Sequence, residues 1–307
     1  MANLKDLSKQ KELFTGGHRA CAGCGAVIVA RQVLAVAGPN TVVTNATGCL
    51  EVVSTIFPYT AWNVPFIHSA FENAAATISG VEALYKSWVR QGKYNKKVNF
   101  IAFGGDGGTY DIGLQALSGA AERGHNILYV CYSNEAYMNT GIQRSGATPK
   151  GADTTTAPVG KIKKGKEQFR KNLTEIMVAH DIPYVAQSVV GNWRDLTSKV
   201  EKALSMEGPK FINVLQPCRL GWSYKPELTC EMGRLAADCC VWPLYEVVNG
   251  QYKITYKPKE KKALSEWINA QGRFRHLLKP ENKSMLDEMQ AKTDKLWEGL
   301  LKKEASA

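Results

Sequence analysis

The stretch FGGDGGTYDIGLQALSGAAERGHNILYVCYSNEAYMNTG, residues 103–141, decides the fold of this chain. An apolar run of strand length, 98–103, leads into a glycine-rich turn that contains one carboxylate, Asp106. A helical pattern follows, and a second apolar run, 127–131, leads to Asn134. This order predicts two parallel strands joined by a helix, so Asp106 and Asn134 are expected to converge at one edge of the sheet, where open α/β sheets bind ligands.

The residues of this turn suit a phosphate group and a divalent cation. Asp106 and Asn134 offer hard oxygen ligands of the kind that Mg²⁺ prefers. Four glycines let the backbone approach a phosphate closely: Gly104, Gly105, Gly107 and Gly108. A glycine motif alone also fits a tight turn with a solvated aspartate. The position of Asn134 and the flanking strands favour the first interpretation, because together they resemble the diphosphate and Mg²⁺ signature of thiamine-diphosphate enzymes.

The composition is that of a globular protein, with 44% hydrophobic and 22% charged residues in a chain of 307. We expect no membrane association, because no apolar run reaches the roughly 18 residues that a spanning helix needs. The polar N-terminus lacks the core of a signal peptide, which predicts a cytoplasmic protein. The net charge of +11 permits nucleic-acid binding, but no motif supports it, and an acidic protein partner fits the charge as well.

The eight cysteines fall into two groups. Four lie in apolar or helical contexts and are expected to pack or remain free thiols: Cys131, Cys230, Cys239 and Cys240. The other four lie beside glycine, proline or turn residues: Cys21, Cys24, Cys49 and Cys218. The CxxC pair could belong to a redox pair, a zinc site or a 4Fe-4S cluster, which needs four thiolates. The spacing alone leaves iron–sulfur and zinc open.

Six segments resemble the β subunit of the pyruvate:ferredoxin oxidoreductases, within the family of 2-oxoacid:ferredoxin oxidoreductases. They are HRACAGCG, NATGC, GGDGGTYDIG, SNEAYMNTGIQRSGATP, QPCRLGW and WPLYEVVNG. The resemblance implies oxidative decarboxylation of pyruvate with coenzyme A to acetyl-CoA and CO₂, with electrons passing through a 4Fe-4S cluster to ferredoxin. The alternatives are a relative acting on oxalate or on a branched-chain or aryl 2-oxoacid, or a non-redox thiamine enzyme with structural zinc.

The same resemblance assigns residues to the cofactors. It implies that Asp106, Asn134 and the backbone carbonyl of Ala136 hold Mg²⁺, and that Asn139 faces the reacting centre as the catalytic residue. The cluster ligands would be Cys21, Cys24, Cys49 and Cys218. The thiamine diphosphate would contact Gly105, Asp106, Gly107, Gly108, Asn134, Glu135, Ala136, Tyr137, Asn139 and Cys49. Ala26 stands where some relatives carry a glutamate, so no contact of that kind is expected here.

The implied fold is α/β, a doubly wound and mostly parallel sheet of the thiamine-diphosphate-binding type, with a C-terminal hairpin and a helical extension. Residues 1–220 are expected to form the thiamine and iron–sulfur domain, and residues 221–307 an extension packed on the core or on a partner subunit. Asn249-Gly250 predicts the turn of the hairpin. The family implies α, γ and ferredoxin-like δ subunits, one of which supplies the glutamate that activates thiamine, so the chain is expected to be inactive alone.

The sequence offers further candidates that are weaker. A histidine can act as a base or bind substrate, and a helical glutamate can have a perturbed pKa, but a structural role is the alternative for each. These candidates are His18, His68, Glu72 and Glu82. The basic loop 161–171 could contact an acidic ferredoxin or a partner subunit, or could simply be a solvated charge run.

Overall fold

One mixed sheet organises the part of the chain that the structure describes, which is residues 4–306 of a computed structural model. Its eight strands lie in the order β2-β1-β3-β4-β6-β5-β7-β8. The strands are β1 (Thr41–Ala46), β2 (Phe66–Ser69), β3 (Asn99–Gly105), β4 (Leu128–Ser133), β5 (Tyr184–Val189), β6 (Lys210–Leu215), β7 (Leu244–Val248) and β8 (Gln251–Tyr256).

Helices connect most of the strands. In chain order they are α1 (Leu4–Leu7), α2 (Gly25–Ala37), α3 (Cys49–Ser54), α4 (Ala74–Arg90), α5 (Leu114–Glu122), α6 (Leu173–Val178), α7 (Trp193–Ser205), α8 (Arg219–Trp222), α9 (Thr229–Asp238), α10 (Leu264–Asn269) and α11 (Lys283–Ala305). A π-helical turn, Gly107–Ile112, precedes α5, and 3-10 turns span Pro226–Leu228, Gly272–Leu278 and Pro280–Asn282. No helix within residues 4–306 is long and apolar enough to cross a membrane.

The first six strands are parallel, which confirms the doubly wound, mostly parallel sheet expected from the sequence. The register pairs Gly105 of β3 with Tyr132 of β4, and Ser133 of β4 with Leu215 of β6. Parallel strands place their carboxyl ends at one edge. The residues that follow β3 and β4 therefore meet at that edge, as predicted, and the residues that follow β1 and β6 lie along the same edge.

The sheet separates two apolar cores. On one face, α2 and α7 pack Val33 and Leu196 against the strands. On the other face, α4, α5 and α6 pack Ile78, Leu117 and Met177. The central strands β4, β5 and β6 are buried on both faces, so they read as continuous apolar runs rather than as alternating patterns.

The C-terminal hairpin forms where the sequence predicts it. Asn249 and Gly250 have φ of 48° and 82°, the left-handed values that a two-residue turn between β7 and β8 requires. The two strands extend the sheet beyond β5 through antiparallel pairings of β7 with β5 and of β8 with β7, and α11 packs across β8. Residues after 220 therefore contribute strands to the sheet as well as helices. The domain boundary at residue 220 stays a prediction.

Candidate active site

A cavity lies at the carboxyl ends of β1, β3 and β4. Its walls come from the turn after each of these strands, as the parallel topology requires. It is lined by Thr47, Gly48, Cys49, Phe71, Gly105, Asp106, Gly107, Gly108, Tyr132, Asn134, Ala136, Tyr137, Met138, Asn139 and Thr140. Every residue that the sequence assigned to the cofactor lines this cavity except Glu135.

Asp106 is a buried carboxylate with hydrogen-bond donors but no ion pair among residues 4–306. Its Oδ1 accepts the backbone N–H of Asn134 at 3.1 Å, and its Oδ2 accepts the hydroxyl of Ser145. Burial raises the pKa of Asp106 to about 7, although these two hydrogen bonds lower it. A buried carboxylate in this state fits a divalent cation, because the cation would supply the missing positive charge.

Asn134 begins the loop that closes the cavity. Its Oδ1 lies 3.3 Å from the backbone nitrogen of Ala136, which donates to it, and its own carbonyl accepts the indole N–H of Trp222 at 2.8 Å. These bonds hold Asn134 beside Asp106 on the neighbouring strand end. The backbone of Asn134 thus lies against the Asp106 carboxylate, and both residues line the cavity, as the sequence predicts.

Glu135 turns away from the cavity. Its φ of 65° directs the side chain into the interior, where its carboxylate pairs with Arg170 and Arg273. Arg273 is itself buried and stacks on Trp222, with its guanidinium carbon 3.8 Å from the ring centroid. The glutamate therefore anchors the cofactor loop to the C-terminal part of the chain.

The glycine-rich turn has no room for side chains at two positions. A Cβ added at Gly107 would lie 2.2 Å from the ring of Tyr137, and one at Gly108 would lie 2.7 Å from the carbonyl oxygen of Phe71. The hydroxyl of Tyr137 donates to the carbonyl of Gly107 at 3.0 Å. The backbone is therefore the surface that this turn presents to the cavity, as a diphosphate requires.

The four predicted cluster cysteines form one group beside the cavity. The four thiols lie close enough together for each thiolate to repel the other three: Cys21, Cys24, Cys49 and Cys218. Burial raises the pKa of Cys49 to about 12, and repulsion from the other three thiols and from Asp106 adds to the rise. Cys49 thus links the thiol group to the carboxylate of the cavity.

Backbone amides lie near two of these sulfurs. Cys24 precedes α2, with the N–H groups of Val27 and Ala26 close to its thiol, and Cys218 precedes α8, with those of Gly221 and Leu220 close to its thiol. Burial raises the pKa of both thiols, while these amides lower it. Donors aimed at sulfur stabilise the thiolate, which is the form that binds metal.

The four thiols do not form a compact site for a single metal ion. Within residues 4–306, no three His, Cys, Asp or Glu side chains converge closely enough to hold one metal ion. A tetrahedral zinc site with Zn–S bonds of about 2.3 Å would bring its sulfurs to about 3.8 Å from one another. A 4Fe-4S cluster takes one thiolate for each iron and therefore accepts a wider quartet.

The remaining predicted candidates lie in different surroundings. The Nε2 of His68 lies 2.8 Å from the hydroxyl of Thr47, which lines the cavity, so His68 stands near its mouth. His18 instead stacks on Phe14, with ring centroids 5.5 Å apart. The backbone of Glu72 packs against Gly113 at the π-helical turn.

Glu82 and the second group of cysteines have structural surroundings. Glu82 is buried and pairs with Lys86 and His125. Cys131 lies in β4 on the sheet face that packs α4 to α6, away from the thiol group. Cys239 and Cys240 are buried, and Cys230 is half-buried.

The sequence analysis missed several residues that line the cavity or contact Asp106. Tyr132 and Phe71 read as core positions, because aromatic residues in apolar patterns are usually packing residues. Ser145 lies in a polar loop and gives no signal until it is seen to donate to Asp106. Thr47 belongs to the NATGC segment, in which only the cysteine was predicted to be a site residue. For Ser145 and Thr47, only the spatial proximity to the carboxylate and to Cys49 identifies them.

Comparisons with known proteins agree with this geometry. The family model "Thiamine pyrophosphate enzyme, C-terminal TPP binding domain" matches residues 46–214. Pyruvate synthase subunit PorB of Methanocaldococcus jannaschii is 59% identical over 87% of this chain and 91% of its own length. PorB of Thermotoga maritima is 53% identical over 97% of this chain and 95% of its own. The chain belongs to the PorB family of pyruvate synthase subunits.

Membership in the PorB family confirms the resemblance expected from the sequence, and with it a thiamine-dependent oxidoreductase subunit. The ketoisovalerate oxidoreductase subunit VorB of Pyrococcus abyssi is also similar, at 43% identity over 88% of both chains. A solved 2-oxoglutarate:ferredoxin oxidoreductase from Magnetococcus marinus shares the fold, with a TM-score of 0.56 over 71% of this chain and 69% of that one, at 23% identity.

The thiamine match and the thiol group cover different parts of the chain. Residues 46–214 include the glycine-rich turn, Asn134 and Cys49. Cys21, Cys24 and Cys218 lie outside that range. The thiamine-binding fold therefore supplies one of the four thiols, and the flanking segments of this PorB-family chain supply the other three.

Proposed function

We propose that this chain is the β subunit of a pyruvate:ferredoxin oxidoreductase. It would carry the diphosphate half of a thiamine site and a 4Fe-4S cluster, in an enzyme that converts pyruvate and coenzyme A to acetyl-CoA and CO₂ and passes the electrons to ferredoxin. The observation that carries the proposal is the position of Cys49, which belongs to the thiol group and lines the cavity that contains Asp106. A thiamine decarboxylase has no need for four thiols there.

The residues of the cavity would divide the binding between them. Asp106, Asn134 and the carbonyl of Ala136 would hold Mg²⁺, and the backbone of Gly107 and Gly108 would hold the diphosphate. Thiamine diphosphate, when bound, stabilises the electrons that CO₂ loss leaves on the substrate, and the cluster accepts electrons one at a time. The chain would orient the cofactor through the oxygen ligands of Asp106 and Asn134.

Asn139 would contact the substrate. It lies at the rim of the cavity and is exposed, so its amide is available to a molecule that enters from outside. An amide can donate to a carboxylate and accept from a hydroxyl. We therefore assign to Asn139 the role of a hydrogen-bonding group beside the reacting carbon.

The site would be completed by other subunits of the complex. Exposed apolar side chains lie on α3, which begins at Cys49, and on the loop after it, among them Val52, Phe57 and Tyr59. Such surfaces mark protein interfaces. We infer that an α, γ or ferredoxin-like δ subunit covers them and brings the glutamate that activates thiamine. The loop 161–171, with Ile162 fully exposed among lysines, is a candidate contact for ferredoxin.

The finer organisation of the chain also belongs to this proposal. Residues 1–220 would carry both cofactors. Residues 221–307 would stabilise the cofactor loop through the ion pair of Arg273 with Glu135 and would contact a partner subunit. The complex would work in the cytoplasm, where ferredoxin and coenzyme A are available.

The test is anaerobic purification of the complex of this chain with its partner subunits. We expect about four iron and four sulfide per β chain beyond the partners' own content, bound thiamine diphosphate, and pyruvate-dependent viologen reduction that requires coenzyme A. The Cys49→Ser variant should lose this cluster, whereas Cys131→Ser, a matched substitution of a buried thiol, should keep it. Zinc at the thiols, or full turnover by the chain alone, would overturn the proposal.

A branched-chain 2-oxoacid is the second candidate substrate, because the VorB relative is similar over most of its length. The ratio of kcat/KM for pyruvate and 2-oxoisovalerate decides between the two. We expect pyruvate to be favoured, and oxalate and aryl 2-oxoacids complete the panel. A preference for the branched acid would reassign the substrate and leave the cofactor assignments unchanged.

A further inference from the structure

Tyr132 has an unusual environment for a buried tyrosine. It is 1% exposed, it lines the cavity, and its hydroxyl has no hydrogen-bond partner within residues 4–306. A buried polar group without a partner is costly, so a hydroxyl in this state indicates an acceptor that binds there.

The hydroxyl lies between the two parts of the site. A Cβ added at Gly48 would lie 2.9 Å from the Tyr132 Oη, and one added at Gly105 would lie 3.6 Å from it. Gly48 directly precedes Cys49, and Gly105 directly precedes Asp106. The hydroxyl therefore lies between the turn that carries Cys49 and the glycine-rich turn that carries Asp106.

The other fully buried tyrosines of the strands do find partners. The Oη of Tyr129 lies 3.1 Å from the hydroxyl of Thr109, that of Tyr184 donates to Glu246 at 2.8 Å, and that of Tyr245 donates to Glu175 at 3.2 Å. Tyr129 belongs to the same strand as Tyr132 but projects from the opposite face. The fold thus satisfies buried tyrosines elsewhere in the sheet.

The hydroxyl is a donor rather than an acceptor in this position. Burial and then the neighbouring Cys49 raise the pKa of Tyr132 well above its ordinary value, so it keeps its proton. Negative charge would surround it on both sides, from the thiolates and from the diphosphate. The Tyr132 Oη lies 2.9 Å from the Cβ position of Gly48, beside Cys49, and 3.6 Å from that of Gly105, beside Asp106, so the sulfur side is the nearer source of charge.

We propose that Tyr132 is a positioning residue whose hydroxyl donates a hydrogen bond to the sulfur face of the iron–sulfur cluster next to Cys49. The inference rests on the proposed function, because it requires that cluster. A donor at sulfur stabilises the reduced, more negative cluster and so raises its reduction potential. Tyr132 would thereby help the cluster to accept an electron from the thiamine side, while its proton stays on the hydroxyl.

The test compares Tyr132→Phe with Tyr129→Phe in the whole complex. Both substitutions remove a buried hydroxyl from β4 and keep the ring. An EPR-monitored redox titration measures the midpoint potential of the cluster. We expect Tyr132→Phe to shift the redox equilibrium roughly tenfold towards the oxidised cluster, about 59 mV more negative for one electron. Tyr129→Phe should leave the potential unchanged, and thiamine diphosphate should bind both variants equally.

The outcomes separate this inference from the function beneath it. A wild-type complex without a cluster on this chain would remove the proposed function itself. A cluster whose potential is equal in both variants would overturn only the role of Tyr132, as would weaker thiamine diphosphate binding without a potential shift. If Tyr132→Phe does not fold, proton ENDOR of the wild-type cluster in H₂O and D₂O decides the matter. An exchangeable proton coupled to the cluster supports the hydrogen bond, and its absence refutes it.

Discussion

Replacing Asp106 with asparagine is expected to stabilise the cofactor-free chain while removing its ability to hold Mg²⁺. The substitution keeps the shape of the side chain. The carbonyl of the new amide can still accept the N–H of Asn134. Its NH₂ group can donate to the hydroxyl oxygen of Ser145, which in the wild type is the donor to Asp106. The change therefore removes a buried negative charge and little else.

The magnitude follows from the pKa. Burial raises the pKa of Asp106 from 3.8 to about 7. Because the folded chain binds this proton more tightly than the unfolded chain does, the contribution of Asp106 to stability is complete below about pH 4 and is lost as the pH rises to about 7. A pKa shift of about three units corresponds to a loss of about 4 kcal/mol in the free energy of unfolding of the wild type at about pH 8. The asparagine variant has no carboxylate to ionise and keeps this free energy.

The assay is denaturant unfolding of chelated, diphosphate-free chain under anaerobic conditions between about pH 5 and pH 8. We expect the wild type to lose stability relative to Asp106→Asn across this range, with the gap approaching about 4 kcal/mol. Asp287→Asn, at an exposed position of α11, is the control and should show no such divergence. Adding Mg²⁺ and thiamine diphosphate should stabilise only chains that retain Asp106. A gap that is independent of pH would refute the reasoning.

Three further substitutions test the packing around the site. Gly107→Ala should weaken thiamine diphosphate binding at least roughly tenfold, or about 1.4 kcal/mol, because its Cβ would lie 2.2 Å from the Tyr137 ring. Calorimetry measures this affinity, and Gly80→Ala, where the added Cβ meets open space, should show no loss of affinity. Gly23→Ala should lower the iron content without removing a thiol, since its φ is 73° and Pro226 blocks its Cβ; Gly38→Ala, at φ 76° in open space, should retain iron. Glu135→Gln should cost about 3–5 kcal/mol in denaturant unfolding by leaving two arginines short of a counter-charge; a smaller loss than that of an exposed glutamate variant such as Glu288→Gln would contradict it.

The sequence was sufficient to predict the convergence of Asp106 and Asn134. Each ends an apolar run, and the two runs are joined by a helix, so the parallel topology leaves one edge at which both can lie. The hairpin at Asn249-Gly250 was predictable for a similar reason, because the turn chemistry is local. Grouping the four thiols needed more than spacing, and the family resemblance supplied it.

The environment of Glu135 and Tyr132 could not be predicted in this way. Glu135 points inward because its backbone is left-handed and because Arg273, 138 residues later in the chain, meets it there. Tyr132 reads as one more apolar position of a buried strand. Its unpaired hydroxyl lies beside Gly48, in the turn after β1, and Gly105, at the end of β3. Such contacts form only when the strands come together in the folded sheet, so no periodic pattern in the sequence predicts them.

The thiol group begins at the CxxC loop and ends with the cysteine after β6. If it holds the cluster, Cys218 must be synthesised and folded into place before all four irons can be bound. Any fragment that stops earlier would expose two or three sulfurs to oxygen. Cofactor insertion would therefore be a late step of biogenesis, and a shortened translation product would fail at maturation although its thiamine-binding turn is already complete.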